Sequence, residues 1–381
     1  MRALASTLAA AAVVLLAGCG SEEQSAPEQT GPPFVAGVAE DAVREPERGA
    51  TAMTQLADAG FDAVRITSIW HPGETGPSSA ELATLRQVAA DAKADDVRVF
   101  LSVFQQGSAT TPLTEEARGQ FASYAASIVQ QVPGIDDVIV GNEPNLNRFW
   151  LPQFGPAGQD VAAPAYLELL AATYDSIKSV GTTRVWGGAL APRGIDRAGT
   201  GRDTQSPTVF LRDLGQAYHA SGRTSPVMDG FAFHPYAESS KIPPDRPHPN
   251  SASIGLADYE KLVGLLGDAF DGTAQPGSKL PILYDEYGVE TVIPAAKADL
   301  YEGTEPATTG ATDEATQARS YARALELAAC QPTVVGLLFF HSHDEHLLPG
   351  WQSGVYYVDG SPKSSLEPVR DAVADAHTAA C

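Results

Sequence analysis

The sequence predicts an α/β fold of one kind, a closed (β/α)8 TIM barrel forming a single catalytic domain, and three observations predict it. Eight short apolar runs recur along the chain, stretches of helical spacing stand between them, and unusual polar residues sit where several of the runs end. Strands separated by helices and apolar throughout are buried on both faces, which is the habit of a parallel sheet. Eight such units closing on themselves is the simplest count. An open doubly wound sheet competes, but no glycine-rich phosphate turn follows the first run.

The first stretch stands outside this pattern. Arg2 supplies a short positive region, and residues 4–16 are apolar but too few to span a bilayer. Leu16-Ala17-Gly18-Cys19 follows, the pattern of a bacterial lipoprotein cleavage site. Residues 1–18 therefore read as a signal peptide, Cys19 as the lipid-bearing N-terminus, and export as the destination. The competing reading is an ordinary secretory signal that contains a cysteine. Residues 19–33 are rich in Ser, Glu, Gln, Pro and Gly, cannot bury enough surface to fold, and read as a flexible linker. The barrel domain is expected over 34–381, with no internal linker long enough to divide it, and as a monomer whose one membrane contact is the anchor.

Within that domain the expected strands are 34–38, 63–67, 97–104, 137–143, 184–190, 230–236, 281–286 and 334–341. Helical patterns lie at 79–95, 115–131, 164–179, 207–220, 255–270, 313–329 and 366–377. Thr114 ahead of Glu115 and Glu116 is an N-cap with acid in the first turn, where the helix dipole favours it, and Asp313 is a similar candidate. Low-complexity stretches at 245–253 and 304–312 follow the sixth and seventh strands, so they are βα loops on the face where barrels build active sites.

The formal net charge is −22, with 47 acidic against 25 basic residues. Phosphate backbones need the opposite sign, so nucleic acid is not an expected partner. The acid is scattered and keeps the chain soluble; for the substrate it disfavours only strongly anionic polymers. With Cys19 lipidated, Cys330 and Cys381 are the remaining pair, and an oxidising compartment favours a disulfide between them over two free thiols.

Side chains at strand C-terminal ends converge on one opening in a barrel. Strand four ends Val140-Gly141-Asn142-Glu143-Pro144, strand seven Tyr284-Asp285-Glu286-Tyr287-Gly288, strand two carries Arg65, and strand six ends His234-Pro235-Tyr236. Strands four and seven lie across the ring, so Glu143 and Glu286 can face one another, the arrangement that glycosidic cleavage requires. Adjacent strand residues point to opposite faces, so only one of Asp285 and Glu286 is expected inside. His234 and Tyr236 share strand parity and can both enter the pocket.

Asn142-Glu143-Pro144, Glu286 in Tyr-Asp-Glu-Tyr-Gly, Arg65 and His234-x-Tyr236, in that order on those strands, resemble clan A glycoside hydrolases, families 5 and 39 in particular. The resemblance implies a retaining O-glycosyl hydrolase acting on an oligo- or polysaccharide by double displacement, with Glu143 as general acid and base and Glu286 as nucleophile. It requires the carboxyl groups about 5–5.5 Å apart. Arg65 would keep Glu286 ionised, His234 and Tyr236 would hydrogen-bond the nucleophile or sugar hydroxyls, and Asn142 would bind the sugar 2-hydroxyl. No cofactor is implied. The duller roles are surface carboxylates, an arginine paired elsewhere and a core histidine.

Trp150, in the aromatic loop after strand four, is a sugar-stacking candidate, against the alternative of a local mini-core; Trp70 has similar standing. The sequence departs from the clan at strand eight, where a tryptophan platform is common but Phe339-Phe340-His341 stands. Trp351 is the nearest replacement, and His341 is a candidate substrate contact. Strand three ends in Gln105 and Gln106, with no histidine where family 5 often has one, so the family is left open. His341, His343, Asp344, Glu345 and His346 have ligand-type side chains, but five residues in a row cannot all face one point, and no metal is expected. The competing functions are a surface lipoprotein that binds carbohydrate without turnover and a metal-dependent deacetylase using the histidines.

Overall fold

The computed structural model describes residues 34–304, 310–379 and 381. The signal peptide, Cys19 and the linker expected over 1–33 lie outside the described residues, as does part of the 304–312 stretch.

Eight strands form a closed barrel in chain order, every neighbouring pair parallel. They are β1 (Val35–Ala39), β2 (Ala63–Trp70), β3 (Arg98–Gln105), β4 (Ile135–Val140), β5 (Arg184–Leu190), β6 (Gly230–Phe233), β7 (Ile282–Tyr287) and β8 (Val334–Phe340). The helices between them are α1 (Gly49–Asp58), α2 (Ser79–Ala94), α3 (Glu115–Gln131), α4 (Ala162–Val180), α5 (Pro207–Ser221), α6 (Tyr259–Phe270) and α7 (Glu314–Ala329), with α8 (Leu366–Thr378) last. Thr114 caps α3 by accepting from Ala117 N, and Asp313 caps α7 by accepting from Thr316 N. Among the described residues, no helix is long and apolar enough to cross a membrane.

Period-two alternation sorts the side chains into two cores. Val64 and Ile66 of β2, with Leu101 and Val103 of β3, point outward under the helices and join the large apolar layer. Ala63, Phe100, Ile139, Trp186, Ala232 and Leu283 point inward and fill the barrel. The buried Asp137 carboxylate closes the lower end, accepting from Arg98 Nε at 2.9 Å, Arg184 Nε at 2.9 Å and Trp186 Nε1 at 2.8 Å. Such a plug leaves the opposite end open for a site.

Three strands stop earlier than the apolar runs suggest. β4 ends at Val140 because Gly141 turns out of the sheet at φ 86 and Glu143 takes φ 40; β6 ends at Phe233, and β8 ends before His341 at φ 70. α1 was not among the expected helices. It begins at a glycine, has no side-chain cap, and shows a narrow apolar stripe of Ala52, Met53 and Leu56, so start signal and periodicity are both weak. Cys330 and Cys381 form a disulfide with Cα atoms 5.4 Å apart, joining the end of α7 to the segment after α8.

Candidate active site

The open end of the barrel holds a cleft of about 1320 Å³. Arg65 enters it from the inward row of β2 and is buried, 5% exposed. Its Nη1 donates to Asp285 Oδ2 at 3.0 Å, and its Nη2 bonds Glu286 Oε1. Burial opposes the guanidinium charge, but the carboxylates of Glu286 and Asp285 outweigh it and hold the proton more firmly than usual. The reverse pull acts on Asp285. Burial would raise its carboxyl, while His234 and Arg65 together keep it below the usual range.

The expectation that only one of Asp285 and Glu286 could face inward is overturned. Tyr284 pairs with Leu337 and Tyr287 with Phe339, so Asp285 and Glu286 stand together opposite the single residue Leu338. That is a β-bulge, two residues against one, and it re-aims a side chain. Both carboxylates reach Arg65, while Tyr284 and Tyr287 both pack outward. Strand alternation assumed an unbroken ladder, and the ladder is broken there.

Glu143 arrives from the turn after β4. Its left-handed backbone is held by its N–H on Ala189 O at 2.8 Å and its carbonyl under Leu146 N at 2.9 Å. A non-glycine residue in that region costs on the order of 1–3 kcal/mol, and surrounding contacts must hold it there. Asn145 supplies such contacts, with its side chain clamped to Ala191 N, Ala191 O and Gln205 O across to the β5 loop.

His234 joins the two sides. Its Nδ1 lies 3.1 Å from Glu143 Oε1 and 3.4 Å from Glu286 Oε2, and its Nε2 lies 3.3 Å from Asp285 Oδ2. Burial favours the neutral ring, but Glu286 and Asp285 outweigh it and push the pKa up to about 10. The ring is therefore an imidazolium at neutral pH. Tyr236 donates to Glu286 Oε2 at 3.0 Å, and burial with the nearby Glu286 and Glu143 charges keeps its phenol protonated. Carboxyl oxygens of Glu143 and Glu286 and the His234 nitrogen all lie within 4.8 Å of one another. Three such atoms are a conceivable metal set, although Arg65 and the Tyr236 hydroxyl already bond the two oxygens of Glu286.

The other candidates divide. Asn142 is buried beside Glu143 and lines the cleft; its Oδ1 has no hydrogen-bond partner. Trp351 lines the cleft, with its ring 5.1 Å from Tyr236 and 5.3 Å from Phe340. It enters the cleft from the loop that follows β8. His341 also faces the cleft, and its Nε2 has no hydrogen-bond partner. Trp150 does not reach it. That ring is 1% exposed and meets Tyr166 edge-on at 5.8 Å, so the mini-core alternative describes it. Trp70 is equally buried, against Phe121. The histidine cluster scatters: His343 turns to Gln55 and Ser342, while Asp344 is buried on Lys363 and Tyr301. Sequence reasoning missed Asp285 as a partner of the site and Glu40, which lies at the cleft base beside His341.

No protein-family model and no curated protein sequence matches the chain. Solved structures do. A mutant of the endo-β-1,4-glucanase of Xanthomonas axonopodis pv. citri aligns with a TM-score of 0.54 at 15% identity, over 91% of this chain and all of that one. The β-glycosidase BGL167 aligns with a TM-score of 0.58 at 16% identity, over 92% of this chain and 97% of that one. A mutant of Bacteroides uniformis β-glucuronidase 2 aligns with a TM-score of 0.57 at 13% identity, over 89% of this chain and 34% of that one. These neighbours are glycoside hydrolases. At such identity the likeness is one of fold, that of a glycosidase-like barrel.

Proposed function

We propose that the chain is a retaining glycoside hydrolase that cleaves an O-glycosidic bond of an oligo- or polysaccharide. The observation that carries this reading is that one carboxyl oxygen of Glu143 and one of Glu286 lie within 4.8 Å of each other, with His234 Nδ1 at 3.1 Å from the first residue and 3.4 Å from the second. Inverting enzymes hold their carboxyl groups roughly 6.5–9.5 Å apart to admit a water, whereas direct attack on the sugar needs about 5–5.5 Å. The Glu286 carboxylate attacks the anomeric carbon, the bond to the leaving oxygen breaks, and that oxygen takes the Glu143 proton. Glu143, now a carboxylate, takes a proton from water as the water attacks the same carbon and frees Glu286. Arg65 and the Tyr236 hydroxyl each bond one oxygen of Glu286, which orients it for attack. Asn142 meets the sugar hydroxyl beside the anomeric carbon, a role supported by its unpartnered Oδ1 in the cleft lining. Export and a lipid anchor at Cys19 belong to the same proposal.

The test is a panel of aryl glycosides and soluble polysaccharides, with the first-formed anomer read by NMR. Retained configuration, lost in both Glu143→Gln and Glu286→Gln, is the expected result. Inverted product refutes the mechanism, and saturable binding without turnover replaces it with a carbohydrate-binding barrel.

A further inference from the structure

The cleft carries both signs of charge, with seven carboxylate side chains and four arginines in its lining. Three arginines line the wall built by the loops after β4 and β5: Arg148, Arg193 and Arg202. None has a carboxylate partner at ion-pair distance among the described residues; Arg148 lies over its neighbour Phe149, and Arg193 donates from Nη2 to Tyr236 O at 2.8 Å. Arginines without a carboxylate also stand elsewhere on the surface, but these three share one wall of the cleft. Arg193 is held in place by that carbonyl, is half-buried, and keeps its Nε buried with no hydrogen-bond partner. Burial pulls its pKa below the ordinary arginine value, and Glu238 and Glu143 oppose that from nearby without pairing with it. Remote acids matter little to these arginines, because charges farther than about 8–10 Å are screened at ordinary ionic strength.

The position of this wall gives it a meaning. A leaving group departs past the residue that protonates it, so the β4 and β5 loops next to Glu143 border the leaving-group side. From these observations we propose that the leaving-group side binds a sugar carrying one anionic group, a uronic acid carboxylate or a sulfate ester, held by Arg193 with Arg148 and Arg202. Guanidinium forks match planar and tetrahedral anions with two parallel hydrogen bonds. The inference rests on the retaining reading, because that reading defines which side the leaving group takes. It also limits the bulk-charge expectation: a polyanion is disfavoured, but one acid at this place is not.

Two measurements on the whole chain test it. In the first, calorimetric titration with glucose, glucuronic acid and glucose 6-sulfate reads binding without turnover. In the second, the same three sugars act as acceptors that reactivate the enzyme trapped on Glu286 as a 2-deoxy-2-fluoroglycosyl ester. One charge-assisted contact predicts roughly tenfold to a hundredfold preference for an anionic sugar. That preference, read within each protein as the ratio of anionic sugar to glucose so that a general loss of reactivation cancels, should collapse towards unity in Arg193→Gln/Arg148→Gln. Glucuronic acid ahead of the sulfate assigns a uronic acid, and the reverse order assigns a sulfated sugar. Equal binding of all three sugars, or a preference unchanged in the double variant, overturns the proposal. A preference in binding without any trapping at Glu286 keeps the anion site and removes the retaining mechanism.

Discussion

Replacing Asp285 with asparagine tests the charge network under the nucleophile. The side chain keeps its shape and loses the charge that faces both Arg65 Nη1 at 3.0 Å and His234 Nε2 at 3.3 Å. His234 has its pKa raised from an ordinary value of 6.5 to about 10. A folded-state pKa raised above the unfolded one stabilises the protein fully below the unfolded value and is lost as pH rises through the folded value. Between pH 6.5 and 10 the folded chain thus holds one proton more than the unfolded chain, and stability falls by about 1.4 kcal/mol per pH unit. From pH 7 to 9 that is about 3 kcal/mol, a Tm drop of roughly 4 °C for a domain of this size. Asparagine at 285 removes one of the three carboxylates that hold the proton, so the His234 pKa falls and the slope flattens. The assay is thermal unfolding of both proteins at half-unit steps of pH, the difference between them removing other groups that titrate there. Breaking a buried ion pair also lowers stability at every pH, by up to about 3–5 kcal/mol. Parallel curves for the two proteins would refute the reasoning, because they would mean that Asp285 does not hold a proton on His234.

Other expectations are simpler. Tyr236→Phe removes one hydrogen bond to a charged carboxylate, so kcat should fall roughly tenfold to a hundredfold with the Tm nearly unchanged; an unaltered kcat would deny the contact to Glu286. Trp351→Ala should raise KM with little loss of stability, whereas Trp150→Ala should cost about 3–5 kcal/mol in unfolding experiments, as a buried aromatic does. Equal stability losses would contradict their different placements. Cys330→Ser opens a loop whose ends are 51 residues apart in sequence, and should lower stability by up to about 4 kcal/mol at unchanged kcat. A variant as stable as the parent under oxidising conditions would mean that the bridge constrains nothing.

The barrel was legible because each strand is a short apolar run and half of the eight helices carry a side-chain cap, as α3 does at Thr114 and α7 at Asp313. α1 escaped because a helix starting Gly49-Ala50-Thr51-Ala52 has neither cap nor wide apolar face. Glu143, Glu286, Arg65, His234 and Tyr236 could be picked out as polar residues at strand ends, since topology alone brings those ends together. Asp285 was lost to an assumed regular ladder, yet the sequence carried a sign of the bulge. Tyr284 and Tyr287 are outward-facing aromatics three positions apart, where an unbroken strand spaces them by two. The loop aromatics could not be sorted from sequence. Trp150 and Trp351 occupy similar polar and apolar surroundings in the chain, and only the packing of Tyr166 against one and Tyr236 against the other separates core from wall.

The central claim is that Glu286 becomes covalently attached to the sugar. Incubation with an activated 2-deoxy-2-fluoro glycoside, followed by peptic digestion and mass spectrometry, tests it directly. The account predicts one added fluorosugar on the peptide containing Tyr284-Asp285-Glu286-Tyr287, absent in Glu286→Gln. Turnover of the parent glycoside with no such adduct, or a label on another carboxylate, would contradict it.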